Sequence, residues 1–304
     1  MEIRYLKHHE IDKLKWDSCI EQAINFQVYA YSWYLDITAP GWEALVADDY
    51  KAVFPLTAKK KVFRYLYQPF FSQQLGFFYP DKSYAGELKN IIKAIPEHFK
   101  LIDIYLNYSN DSLQLKNGKI NTRKNIILDL KPEYKQLHKF YSDHTKRNLK
   151  KAQQAQQQVS NCNIEAVVAH YRKNKGAETK ALTKKHYDLL TTLLTAFQNR
   201  NLLEVIAVTD AQKNILCSAV YLHTSNRIYY LLGSTDENGK EMRSMFLMFN
   251  ELISKYAGTD KVLDFEGSEI PGVARFFKGF GAVKQHYYHL HINKLPLPIR
   301  WLKK

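Results

Sequence analysis

The stretch "DFEGSEIPGVARFFKGFGA", residues 264–282, joins the end of a predicted strand to a predicted short helix. The apolar side chains of "KVLDF", which overlaps its start, predict a short buried strand. Pro271 suits the first turn of a helix, and Gly279 and Gly281 suit its end, so we predict a helix over residues 271–280. In open α/β sheets, ligands usually bind at the carboxyl ends of strands. The sequence therefore predicts a candidate site at this junction.

The predicted helix has an apolar stripe and a basic side. Its apolar stripe comprises Val273, Phe276, Phe277 and Phe280, which should anchor the helix to the sheet. Arg275 and Lys278 lie three residues apart on the opposite side. Periodicity leaves two interpretations open: these are solvated surface cations, or Lys278 stabilises an anion or a developing oxyanion. Glu266 suits a proton acceptor, but an acid at a strand end equally serves as a helix cap or an ion-pair partner.

The second half of the chain predicts an antiparallel meander followed by a long helix. "LLEVIAV", "ILCSAVYLH" and "RIYYLLG" are strand-like runs separated by turn residues. The helix should run from about Lys240 to Ala257 and end at Gly258. A final strand is predicted within "KQHYYHLHI". The first half repeats this order of elements in compressed form, which indicates an internal duplication.

A chain of 304 residues exceeds what a single hydrophobic core usually fills. We therefore predict two domains, with one compact unit as the alternative. The predicted boundary lies near Lys131-Pro132, giving an N-terminal half, 1–131, and a C-terminal half, 132–304, that carries the site.

The formal net charge of +14 predicts an attraction for anions: nucleic acid, nucleotide phosphates or an anionic membrane face. The amino terminus has neither the apolar core of a signal peptide nor a spanning helix, so we expect a cytoplasmic protein that could touch a membrane surface. Cys19, Cys162 and Cys217 form no C-x-x-C pair, which argues against a disulfide framework or a zinc site.

Three segments resemble the Fem-type (FemAB- and FemX-like) aminoacyltransferases. The stretch 264–282 and the preceding "YYLLGSTDENGKEMRSMFLMFNELISKYA" resemble that family's carboxyl-terminal region. "HTKRNLKKAQQ" resembles the basic helix that opens its second half, and "QPFFSQQLGFF" resembles a segment of its first half. The resemblance implies an α/β (α+β) fold of two tandem GNAT-like halves, each a mixed, mostly antiparallel sheet flanked by helices.

The resemblance also implies an N-acyltransferase. An activated acyl or aminoacyl group would pass to an acceptor amine, such as that of a peptidoglycan precursor, with no metal and no covalent enzyme intermediate. Lys278 matches the family's lysine near the reacting acyl group or a substrate phosphate, and Glu266 is the second predicted catalytic residue. The predicted substrate- and donor-binding residues are Arg275, Ser268, Gly267, Arg243, Tyr230, Lys146, Arg147 and Lys150.

The sequence leaves the acyl donor open between acyl-CoA and aminoacyl-tRNA. "STDENGKEMRS" offers Gly239, Arg243 and Ser244 for a phosphate, but it lacks the paired glycines usual in CoA-binding GNAT enzymes and contains three acids. A tRNA donor is favoured by the basic residues Lys146, Arg147, Lys150 and Lys151 on one predicted helix, although such helices are often simply solvated.

Two further interpretations remain. His286, His289 and His291 suggest a metal, but on a strand His286 points away from the other two, so we expect no metal site. The alternative to an enzyme is a non-catalytic module with this fold that binds RNA or another anionic partner through its charge.

Overall fold

The computed structural model of the chain describes residues 1–110, 118–176, 182–267 and 269–302. Its strands are β1 (Ile3–Leu6), β2 (Glu43–Ala47), β3 (Ala52–Leu56), β4 (Ala58–Lys60), β5 (Arg64–Tyr67), β6 (Phe99–Leu106), β7 (Lys119–Asp129), β8 (Gln158–Asn161), β9 (Leu203–Thr209), β10 (Ile215–His223), β11 (Arg227–Thr235), β12 (Val262–Asp264) and β13 (Val283–Asn293).

The α-helices lie between groups of these strands. They are α1 (Lys13–Gln22), α2 (Ser32–Thr38), α3 (Leu88–Ala94), α4 (Tyr134–Lys139), α5 (Asp143–Gln154), α6 (Ile164–Tyr171), α7 (Lys184–Gln198), α8 (Glu237–Glu241), α9 (Ser244–Tyr256), α10 (Pro271–Lys278) and α11 (Ile299–Leu302). Strands in antiparallel and mixed pairings, flanked by helices, confirm the predicted α/β class. Within the described ranges, no helix combines the length and apolar character needed to cross a membrane.

The chain divides into two compact units, the first formed by residues 1–123 and 286–304 and the second by residues 124–285. The division differs from the predicted boundary at Lys131-Pro132. It differs because β13 pairs antiparallel with β6, from Tyr288 opposite Leu106 to Asn293 opposite Leu101. This ladder of hydrogen bonds joins the end of the chain to the first unit.

The first unit contains two groups of paired strands. An antiparallel sheet has the order β1-β2-β3, and a second set has the order β4-β5-β6-β13. β5 pairs parallel with β6, while β4 and β13 pair antiparallel with their neighbours. Leu290 and Ile292 of β13 are buried in the same apolar cluster as Ile102 and Ile104 of β6, so one face of this pair forms core.

The second unit contains the predicted meander. β8, β9, β10 and β11 pair antiparallel in succession, β12 follows parallel to β11, and β7 pairs antiparallel with β12. The predicted strands β9, β10 and β11 are confirmed, as is the short buried strand β12. α9 ends just before Ala257, and Gly258, predicted to follow the helix, has a φ of +77°.

The long helix predicted from Lys240 to Ala257 is wrong as a single element. It is split into α8 and α9 because Arg243 adopts a left-handed conformation with a φ of +62°. The Gln157 side-chain Nε2 donates to the Met242 backbone carbonyl at 3.0 Å, and the Ser244 hydroxyl donates to the Gln157 side-chain oxygen Oε1 at 2.5 Å. These contacts hold the break in place.

The carboxyl end of β12 is fixed by a buried ion pair. Asp264 accepts from Arg227 at 2.6 Å, from the side chain of Asn125 at 3.0 Å and from the backbone N–H of Glu266 at 2.9 Å. The Asp264 side chain is 1% exposed and that of Arg227 10% exposed. The three donors come from β7, β11 and the turn after β12, so one carboxylate joins all three segments.

We predict that Asp264→Asn lowers the free energy of unfolding by about 3–5 kcal/mol, because it leaves the buried Arg227 charge without its counter-ion. Asp260→Asn is the control: its ion pair with Lys131 is exposed, so about 0–1 kcal/mol is expected. Urea denaturation of both variants measures the difference. Equal small losses would contradict a structural role for this ion pair.

Candidate functional site

Helix α10 has two chemically different sides. It begins at Pro271, as predicted, and Phe277 and the following Phe280 are buried against the core of the second unit. Val273 departs from the predicted anchoring stripe, because the residue is 37% exposed. One side of α10 lines a cavity with Val273, Phe276 and Phe277, and the other lines a second cavity with Arg275 and Lys278.

The first of these, here called the apolar cavity, has a volume of about 400 Å³. Its apolar and aromatic lining residues are Tyr230, Met245, Phe246, Val273, Phe276 and Phe277. The cations Lys175, Lys240 and Arg243 line the same cavity. No acid in the described part of the chain lines it. The cavity therefore suits an uncharged group joined to an anionic one.

The apolar cavity lies where β11 continues beyond the end of its parallel partner, β12. Along β11, β12 pairs with Arg227, Ile228 and Tyr229, whereas β11 extends to Thr235. The β10–β11 register shifts between Val220 and Tyr221, a bulge that changes which β11 side chains share a face. A Cβ at Gly233 would lie 2.2 Å from the Tyr230 hydroxyl, so glycine makes room for this ring. Burial raises the pKa of Tyr230, which keeps its phenol protonated.

Arg243, predicted to bind an anion, lines the apolar cavity at the break before α9. Its Nη1 donates to the Lys240 carbonyl at 3.0 Å, and its Nε is buried without a hydrogen-bond partner in the described structure. The neighbouring Gly239 N–H is already bonded to the Asp236 carboxylate at 2.7 Å. The acid that caps α8 therefore occupies a donor that a phosphate would need there.

The second cavity, here called the cationic cavity, has a volume of about 340 Å³. Its cations are Lys124 of β7, Arg275 and Lys278 of α10, and Lys284 of β13, with Glu269 as the one acid among its described lining residues. Glu269 accepts from the Lys124 backbone N–H at 3.1 Å. Loss of hydration and then the positive charges of Lys284 and Lys124 lower the pKa of Lys278. An anion would relieve this crowding of positive charge.

The turn between β12 and α10 carries the other predicted residues. Glu266 and Gly267 both have positive φ values, +54° and +63°. A Cβ at Gly267 would lie 2.3 Å from the Lys124 carbonyl oxygen, so the turn packs directly on β7. Glu266 is not among the residues that line either cavity. Ser268 lies outside the described residues.

The predicted basic stripe lies on α5. Thr145, Leu149 and Ala152 face the core, while Arg147, Lys150 and Lys151 are exposed. Lys146 donates to the Lys139 carbonyl at 3.2 Å. None of these cations lines either cavity.

The start of α5 touches the end of α10. A Cβ at Gly279 would lie 2.3 Å from the Thr145 hydroxyl, and the Ser142 N–H donates to the Gly279 carbonyl at 2.8 Å. The residue after α10 is therefore glycine for close packing, besides its predicted part in ending the helix.

Sequence reasoning missed five charged residues of the two cavities: Lys124, Lys284, Glu269, Lys175 and Lys240. Lys124 and Lys284 come from strands far from α10 in the chain. Glu269, in contrast, lies within the stretch that indicated the site. Its position just before Pro271 could have identified it as a site residue.

No protein-family model matches the chain, and no curated protein matches it. Among solved structures, FemX is similar with a TM-score of 0.69 and 14% identity, over 99% of each chain. A GNAT-family acetyltransferase from Colwellia psychrerythraea has a TM-score of 0.54 and 9% identity, over 97% of this chain and 100% of that one. L-PGS from Bacillus licheniformis has a TM-score of 0.52 and 12% identity, over 86% and 87%. The chain thus has the Fem-type, GNAT-like fold that its sequence predicted.

We predict that Gly267→Ala lowers the free energy of unfolding by about 2 kcal/mol or more, because an L side chain there is strained and meets the Lys124 carbonyl. The control is Gly272→Ala, since a Cβ at Gly272 meets nothing within 4 Å. That variant should be as stable as the wild type or up to about 1 kcal/mol more stable. Chemical denaturation tests the pair, and equal stabilities would refute the close approach.

Proposed function

We propose that this chain is an N-acyltransferase, on the fold that it shares with FemX and with a GNAT-family acetyltransferase. The acceptor amine attacks the acyl carbonyl carbon of an ester or thioester donor. A new amide bond forms, the bond to the carrier breaks, and the amine proton passes to solvent or to the leaving group. Neither a metal ion nor a covalent enzyme intermediate takes part in this scheme.

The observation that carries the proposal is that α10 lies between the apolar cavity and the cationic cavity. On one side, Val273, Phe276 and Phe277 line the apolar cavity, which suits an acyl group. On the other side, Arg275 and Lys278 line the cationic cavity together with the lysines of β7 and β13. One short helix therefore contacts an uncharged group on one side and an anionic group on the other. Joining an acyl donor to a substrate that carries phosphate requires both kinds of contact.

Lys278 has the central role in the proposed site. It binds a phosphate of the substrate through its ammonium group, with Arg275, Lys124 and Lys284 adding positive charge. Glu266 stays a predicted amine-orienting residue. Tyr230 closes the apolar cavity with a protonated phenol. The acceptor is an amine-bearing molecule, and a peptidoglycan precursor is the candidate that the resemblance to Fem-type enzymes supplies.

The donor's anionic carrier lies near Lys175, Lys240 and Arg243, which line the apolar cavity. This requirement is met by acyl-CoA and by aminoacyl-tRNA alike. Asp236 caps the Gly239 N–H, which disfavours a CoA pyrophosphate at α8. The absence of an acid from the cavity's described lining disfavours the ammonium group of an aminoacyl donor. These two observations disfavour different donors, so a binding experiment must distinguish acyl-CoA from aminoacyl-tRNA.

We predict that one donor class binds at the apolar cavity, measured by isothermal titration calorimetry with acetyl-CoA and, separately, with uncharged tRNA at low and near-physiological salt. Arg243→Gln should weaken the binding of whichever donor the wild type binds by about tenfold or more, since a charge-assisted contact contributes about 1.5–3 kcal/mol. Lys185→Gln, an exposed charge removed on α7, is the control and should leave affinity unchanged. Saturable CoA binding that survives salt identifies a thioester donor, and retained tRNA binding identifies an aminoacyl donor. Binding of neither ligand would contradict the proposal.

The second candidate function is a non-catalytic module that binds RNA or another anionic partner. The observation that favours it is the exposed basic face of α5, formed by Arg147, Lys150 and Lys151. Neutralising phosphates with such a face gives binding that weakens steeply with salt. Because these residues lie outside both cavities, the two functions depend on different side chains.

We predict that Lys278→Ala reduces acyl transfer at least about tenfold, with thermal stability unchanged because the side chain is exposed. The measurement is release of free CoA or discharge of aminoacyl-tRNA, with a panel of amine acceptors. Lys185→Ala is the matched control and should retain full turnover. For a binding module, Lys278→Ala would have little effect on RNA affinity, whereas replacing Arg147, Lys150 and Lys151 by glutamine would abolish binding.

A further inference from the structure

A cluster of two histidines and one aspartate lies on neighbouring strands of the first unit, separate from the cavities above. His291 is directly opposite Asp103 in the β13–β6 pair, and His289 is two residues earlier on the same face of β13. His289 Nε2 lies 2.5 Å and His291 Nδ1 lies 3.7 Å from Asp103 Oδ1. The three candidate ligand atoms all lie within 4.8 Å of one another.

We propose that Asp103, His289 and His291 form a binding site for a divalent transition-metal ion of the zinc class. Two imidazole nitrogens and one carboxylate oxygen are a donor set that such ions take, with a fourth position left for water or another ligand. This site goes beyond the proposed acyltransferase activity and takes no part in it. It was not expected from the sequence, where only the three histidines of β13 suggested a metal.

The spacing of the three side chains fits a small coordination sphere. Bonds of about 2.0–2.1 Å at tetrahedral angles place neighbouring ligand atoms about 3.3 Å apart. The separations of 2.5 Å and 3.7 Å from Asp103 lie on either side of that value, so small side-chain rotations suffice. The backbone need not move, because both strands are held by the ladder from Tyr288 to Asn293. A pre-formed site loses little entropy when the ion binds.

The partners of Asp103 also favour a metal over a permanent ion pair. The chain contains 44 lysines and arginines, yet the described ion-pair partners of Asp103 are both imidazoles. An imidazole can release its proton and coordinate an ion, whereas a lysine or arginine pair would occupy the carboxylate. His289 Nδ1 is buried without a hydrogen-bond partner in the described structure, so Nε2 is the ring nitrogen that faces Asp103.

The site is accessible, and the chain supplies a matched control. The Asp103 side chain is 51% exposed, so an ion can enter from solvent. His286 is exposed on the same strand, but it lies an odd number of residues from His289 and His291 and is not part of the cluster. Removing His286 therefore removes an equivalent side chain without touching the proposed ligands.

The test is calorimetric titration of the chelator-treated full chain with Zn²⁺, together with thermal melting with and without the ion. Wild type should bind about one ion in a saturable manner, and its melting temperature should rise with Zn²⁺. Asp103→Asn and His291→Gln should each weaken binding at least about tenfold and lose the thermal shift. His286→Gln should behave as wild type. Two separate ligand variants keep the test decisive if one of them fails to fold.

Absence of saturable Zn²⁺ binding by wild type would overturn the proposal and leave an ordinary cross-strand ion pair. Binding that persists in Asp103→Asn and His291→Gln, or that disappears in His286→Gln, would also overturn it, because the ion would then lie elsewhere. Lys278 is not part of this site, so loss of acyl transfer in Lys278→Ala is independent of either result.

Discussion

The Asp264 carboxylate is the constraint on which the candidate site depends. A buried charge is tolerated only when it is paired and hydrogen-bonded, and Asp264 has donors from β7, β11 and the turn after β12. These bonds fix where β12 ends. The next residues, Glu266 and Gly267, must therefore turn sharply against β7, and α10 starts from a defined point. A solvated acid at this position would leave the direction of α10 unspecified.

The fixed start of α10 explains how one short helix separates two environments. Phe277 and Phe280 hold it against the core, which leaves Val273 and Phe276 on one side and Arg275 and Lys278 on the other. The amphipathic pattern that would normally distinguish core from solvent here distinguishes one cavity from another. The acyltransferase proposal rests on this arrangement more than on any single residue.

The sequence predicted the elements that depend on short-range patterns. The meander, the glycine after α9 and the proline that starts α10 follow from local periodicity and turn chemistry, and each was found. The break at Arg243 was not predicted, because a left-handed arginine has no sequence signature and is held by the distant Gln157. Lys124 and Lys284 were missed as site residues for a related reason: only strand pairing brings them to α10. The register of β13 on β6 likewise decides which unit receives the end of the chain and places Asp103 beside His289 and His291.

The net charge of +14 does not by itself locate a binding site; the positions of the cations do. Lysines spread over a surface repel one another weakly, because water and salt screen them. Lys124, Lys278 and Lys284 instead share one cavity with Arg275, and loss of hydration followed by the charges of Lys284 and Lys124 lowers the pKa of Lys278. Glu269 offsets part of this charge through its ion pair with Lys124 at 3.9 Å, but four cations share the cavity with this one described acid, and like charges at close range are unfavourable. A bound anion would turn the same repulsion into attraction, which supports the proposal that this cavity holds an anionic substrate. The exposed cations of α5 lack this feature, which is why the cationic cavity is the stronger indication of function.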